Sequence, residues 1–166
     1  MIESLLSAAM LFQTTASAPV LPVAFAPDSD FWNIGSTATG TVTVSDRRIT
    51  VALDDYTLTA NGTYPDDRRI TGYTVCLARM TSDDAWDTAG CAPTVEHKTT
   101  LHAGQSESVG ATTLTIRTGD RPSLRDHWLV LRVQVARQGG GVGYVFADSQ
   151  EGVFAPLSSG PGESGR

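Results

Sequence analysis

Lysine is almost missing from these 166 residues. Lys98 is the single one among twelve basic side chains, which face eighteen acidic ones for a formal net charge of −6. A phosphate backbone or an anionic bilayer would be repelled overall, and no basic cluster exceeds the pairs Arg47–Arg48 and Arg68–Arg69. Helical periodicity is lacking beyond residue 20, and no apolar run approaches the ~20 residues of a membrane span. Catalytic signatures are lacking too. There is no Gly-x-Ser-x-Gly elbow, so Asp126-His127 is partnered with no placed serine and reads as a solvated turn. The run Gly139-Gly140-Gly141-Val142-Gly143 has no Lys-Ser/Thr after it and reads as a hairpin tip, not a phosphate loop. Asp83, Asp84 and Asp87, and the pairs Asp54-Asp55 and Asp66-Asp67, lack EF-hand spacing. His97 and His102, five apart, fall on opposite faces of a strand. The expectation is therefore no enzyme, no metal and no cofactor.

Cysteine is equally scarce, and its two positions are informative. Cys76 sits inside the alternating run Tyr73-Thr74-Val75-Cys76-Leu77, and Cys91 follows a polar loop. Fourteen residues between them suit neither a metal pair nor a redox pair. They suit a structural disulfide closing a loop, which stabilises by about 3 kcal/mol on the chain-entropy account, and a disulfide implies an oxidising compartment. The N-terminus agrees with export. An apolar stretch over residues 5–12 precedes Ala16-Ser17-Ala18, a small-x-small cleavage pattern, although the first four residues carry no Lys or Arg and Pro19 follows the cut. Residues 1–18 are accordingly read as a signal segment and the chain as secreted.

What is present is β-structure. Residues 41–44 alternate, turn at Ser45-Asp46-Arg47-Arg48, and return over 49–53; residues 56–59 alternate up to the turn dipeptide Asn61-Gly62. A longer strand is predicted over 70–79, a polar edge strand over 94–101, and another strand over 112–118. The clearest core strand spans 128–136, with Leu129, Leu131, Val133 and Val135 on one face; the glycine tip turns it into 142–147, where Val142, Tyr144 and Phe146 share a face. Seven or eight such strands predict an all-β, antiparallel β-sandwich of immunoglobulin- or fibronectin-III-like type over 36–156. Residues 157–166, rich in Ser, Gly and Pro, read as a disordered tail.

Ahead of the sandwich, 19–35 read as an extended arm. The stretch PVLPVAFAP carries three prolines in nine residues, which is read as excluding a helix and a central strand. Its apolar residues Val20, Leu21, Val23 and Phe25 are each worth about 1.5–3 kcal/mol on burial, so they are expected to fill a partner's groove or pack on their own domain. The Arg-, Ala-, Gly-, Thr- and Asp-rich composition is that of a GC-rich genome. With the apolar arm, the Cys76/Cys91 pair and the polar tail, the chain resembles the small adaptor subunit of actinomycete umbrella toxin particles. That resemblance implies a non-enzymatic adaptor between a lectin subunit and a toxin stalk, docking through Val20, Leu21, Val23 and Phe25. Two other readings stand beside it: a carbohydrate- or surface-binding module using Trp86 as a stacking platform, and a protease-inhibitor-like presenter of the loop 82–91.

Overall fold

The computed structural model describes residues 17–27, 32–34, 38–60, 67–81, 86–119, 124, 126–137, 139–149 and 153–154. Residues 1–16 of the expected signal segment 1–18, residues 82–85 of the loop 82–91, and the expected tail 157–166 lie outside them. The described residues form strands and turns only: β1 Val20–Pro27, β2 Trp32–Ile34, β3 Ala38–Ser45, β4 Arg48–Leu53, β5 Tyr56–Ala60, β6 Arg68–Met80, β7 Trp86–Cys91, β8 Val95–Leu101, β9 Ser106–Val109, β10 Thr112–Arg117, β11 Trp128–Ala136 and β12 Val142–Ser149. All pairings are antiparallel. A nine-stranded sheet runs β10-β4-β3-β1-β12-β11-β6-β7, with β8 also on β6, and a three-stranded sheet runs β2-β5-β9. Two sheets of very unequal size thus stand where an immunoglobulin- or fibronectin-III-like sandwich was expected, and the large one curls until its two ends nearly meet.

The small sheet is an extension of the large one. β4 pairs β10 with Leu53 opposite Thr112, and β5 pairs β9 with Tyr56 opposite Val109, so both ladders share one register. A single two-stranded ribbon bends between the layers at Asp54-Asp55 and Gly110-Ala111. The corner leaves backbone groups to satisfy; Asp55 accepts the Ala111 amide, and the Asp54 amide donates to the Thr39 carbonyl. Leu53 and Tyr56 both face inward across the two exposed aspartates, so the ribbon keeps its apolar face on the core through the bend.

β6 and the segment carrying β7 and β8 form a second long hairpin. β7 covers the C-terminal half of β6 and β8 the N-terminal half, with irregularities at Leu77/Ala78 and Ile70/Gly72. Bulges of this kind bend a strand and increase its twist, and here they help to curl the sheet. Cys76 and Cys91 are directly opposed in this hairpin, and the disulfide joins them with Cα atoms 4.0 Å apart. The expected structural disulfide is thus formed, and it ties a strand to its successor.

The proline-rich stretch is where sequence reasoning erred. Residues 20–27 are strand β1, between β3 and β12 inside the large sheet, with Val23 and Phe25 buried at 5% and 0% exposure. Backbone alternation explains how proline is tolerated. The Asp54 amide bonds to Thr39, so odd residues of β3 direct their amides and carbonyls to β4 and even ones to β1. Pro22 is opposite Thr41, an odd position, so its nitrogen turns away from β3. On that other side β12 pairs, among the described residues, with 25–27 alone. Among the described residues Pro22 therefore interrupts no ladder. Of the four apolar residues expected to dock, Leu21 is half-buried and only Val20, at 62% exposure, is open to solvent.

Candidate partner-binding site

The two ends of the large sheet face each other across an open groove of about 1210 Å3. One wall is β10, contributing Thr113, Leu114, Thr115 and Arg117; the other is the stretch 91–95, where β7 passes into β8. Among the described residues β10 pairs with β4 alone, so its other edge faces the groove. The Thr118 amide donates to the Arg47 carbonyl at 2.9 Å, which makes that pair a hydrogen-bonded one. By alternation Leu114 and Ile116 turn their backbone groups to β4, while Thr113, Thr115 and Arg117 turn theirs into the groove. On the opposite wall the Ala92 amide donates to Val75, so Cys91 is a non-hydrogen-bonded partner of Cys76 and its amide and carbonyl face away from β6. Pro93 follows and carries no amide, so this wall offers only an interrupted ladder.

The groove is a wedge. At Gly90 a side chain would stand 3.5 Å from Ile116 Cγ2 and 3.7 Å from the Arg117 carbonyl oxygen, so β7 and β10 nearly touch there. Val95 and Thr113 line the groove away from that point. Leu114 and Ala92, both buried, form an apolar floor.

Arginines gather at the narrow end. Arg48 and Arg117 are directly opposite each other in the β4–β10 ladder, both exposed. They are neighbours of the hydrogen-bonded pair Arg47/Thr118, hence a close, non-hydrogen-bonded pair with Cα atoms about 4.5 Å apart. Like charges directly opposed in a ladder are destabilising. Arg47, in the adjoining turn, also lines the groove. Among the described residues none of the three arginines makes an ion pair, in contrast to Arg79, which pairs with Asp87 at 3.1 Å.

A second cluster lies on the outer face of the sheet. Tyr144 and Phe146 of β12 stack with ring centroids 6.4 Å apart, and the Arg132 guanidinium lies 5.9 and 5.5 Å from those centroids. The same guanidinium donates to Thr88 and approaches Cys91 Sγ at 3.8 Å. Arg132 therefore lies between the disulfide and the two rings, on a face where Cys76 is fully buried. The guanidinium already stacks on both rings, and the cluster lies beside the disulfide, whose Cys91 stays exposed.

Neither a family model, nor a curated protein, nor a solved structure matches the chain.

Of the residues singled out from sequence, Val23 and Phe25 belong to the core, Leu21 to its margin, and Val20 to the surface, so the four form no common docking face. The Trp86 backbone opens β7 opposite Met80; its side chain lies outside the described residues. His97 and His102 do not converge. His97 is half-buried beside Glu107, with Nε2 at 3.1 Å from Oε1, and His102 pairs with Asp67 at the surface. No group of three or more His, Cys, Asp or Glu able to hold a metal occurs among the described residues. The groove was missed because Arg47–Arg48 read as turn chemistry. Only the pairing of β4 with β10, which no local pattern encodes, brings Arg117 beside them.

Proposed function

We propose that the chain is a secreted, non-enzymatic adaptor of an extracellular multiprotein assembly that takes an extended segment of a protein partner into the wedge between β10 and the 91–95 wall. One observation carries this reading: Thr113 and Thr115 present backbone amides and carbonyls, unpaired among the described residues, to an open groove with an apolar floor. An unprotected edge is a template for another strand, and natural proteins cover or charge such edges unless they use them. The disulfide supports the extracellular setting. The role is the one that the resemblance to toxin-particle adaptors implies, with the contact moved from β1 to the groove.

Thr115→Pro tests the reading. Its amide faces the groove, so proline there removes no hydrogen bond of the fold, and edge strands accept proline on that side. The expected result is loss of the partner that co-purifies with the wild-type chain from culture medium, with a melting temperature lowered by only a few degrees; Thr113→Pro should behave alike. Retention of that partner by both folded variants would remove the groove as its site.

A further inference from the structure

We infer that the segment held in the wedge is the C-terminal end of the partner chain, running parallel to β10 with its terminal carboxylate at Arg48 and Arg117. This rests on the strand-docking reading above and goes further, fixing the direction and chemistry of the occupant.

The wedge is closed at one end. With Gly90 of β7 lying against Ile116 and the Arg117 carbonyl, a docked strand has no room to pair along β10 at Arg117. It must end there or leave the edge. The closed end is also the cationic end, where Arg47, Arg48 and Arg117 line the groove without an ion pair among the described residues. A chain ending there with its amino group would bring an ammonium to three guanidinium groups and be repelled. A chain ending with its carboxylate meets a planar acceptor suited to guanidinium, the pairing with the best hydrogen-bond geometry among charged side chains.

The directly opposed arginines point the same way. Placing Arg48 against Arg117 costs the unliganded protein cross-strand repulsion, and an anion between them removes it. The setting is exceptional for this molecule, whose formal net charge is −6, so the site is a local inversion of the surrounding field. Polarity follows from topology. β10 runs from Thr112 toward Arg117, hence toward the closed end, and an occupant whose C-terminus reaches that end is parallel to it. Alternation then gives the side chains. Occupant residues level with Leu114 face the apolar floor with Ala92, and those level with Thr113 and Thr115 face solvent.

Two pools of synthetic hexapeptides with randomised side chains, one ending in a free carboxylate and one amidated, provide the test. Both are applied to the full disulfide-bonded chain, to Arg48→Gln/Arg117→Gln and to Thr115→Pro. The expected result is capture from the carboxylate pool only. For a captured peptide resynthesised in both forms, affinity should fall tenfold or more on amidation, and by a similar factor in the double arginine variant. Arg117→Gln alone, an exposed single change, guards against a folding defect of the double variant. Capture of both pools alike, abolished by Thr115→Pro, would overturn the C-terminal assignment and leave strand docking standing. Capture of neither pool, or capture indifferent to Thr115→Pro, would overturn both.

Discussion

Tyr56 places a phenol where nothing answers it. Its ring packs edge-on against Tyr73 at 6.0 Å, and the hydroxyl is buried with no hydrogen-bond partner among the described residues. Burial pushes its ionisation far above the ordinary phenol range, with Tyr73 adding to the shift. The folded state thus holds this proton more tightly than the unfolded chain does. Its contribution is complete below about pH 10 and is lost as pH rises beyond it, by at most about 1.4 kcal/mol per pH unit. Tyr56→Phe removes both the orphan hydroxyl and the titration. Urea unfolding should show the variant as stable as the wild type, or more so, at neutral pH, and clearly more resistant above pH 10. Identical alkaline curves would refute the assignment. The aromatic at 56 was legible as part of an alternating strand; its unanswered hydroxyl was not, because it depends on which strands surround it.

At the scale of the element, β1 decides how the N-terminal region must be treated. Phe25 is fully buried among core residues, so Phe25→Ala should cost about 3–5 kcal/mol in chemical denaturation. Removing residues 1–27 should unfold the domain instead of yielding a folded protein without an arm. A truncated chain with wild-type circular dichroism and a cooperative melt would contradict this. β11 and β6 were readable beforehand because Leu129, Leu131 and Val133, and likewise Tyr73, Val75 and Leu77, alternate inward without interruption. β12 was readable as a strand, yet its larger face, Tyr144 and Phe146, stacks under Arg132 while the small Gly143 and Ala147 face the core. β1 was not readable because composition spoke against it. Proline is excluded from a strand only where its nitrogen meets a neighbour, and whether it does is a property of the neighbours' lengths.

For the whole molecule, the bond between the two sheets is the quantity to probe. Glu107 of β9 accepts the Thr99 hydroxyl of β8 and lies against His97 of the same strand, tying the small sheet to the free edge of the large one. Tyr73 packs on the His97 ring from below, at 6.4 Å. Glu107→Ala leaves the Thr99 and His97 polar groups without that partner and should cost about 1–3 kcal/mol. Hydrogen exchange should rise first in β9 and β5, ahead of β11. Unchanged exchange in β9 would show that the shared ribbon alone holds the layers together. The sheet order itself, with Arg48 beside Arg117 and β1 beside β12, lay outside what sequence could show, since strand pairing between distant segments leaves no local periodicity.

The pairing of β1 with β12 also sets a timetable. β1 is made first and finds β3 soon after, but its other neighbour is the last strand among the described residues to be synthesised. Until residues 147–149 emerge, Phe25 lacks the strand that completes its side of the sheet, and the two halves of the large sheet have no ladder between them. A nascent chain of this kind keeps the large sheet open until β12 is made, a state exposed to aggregation if it lingers.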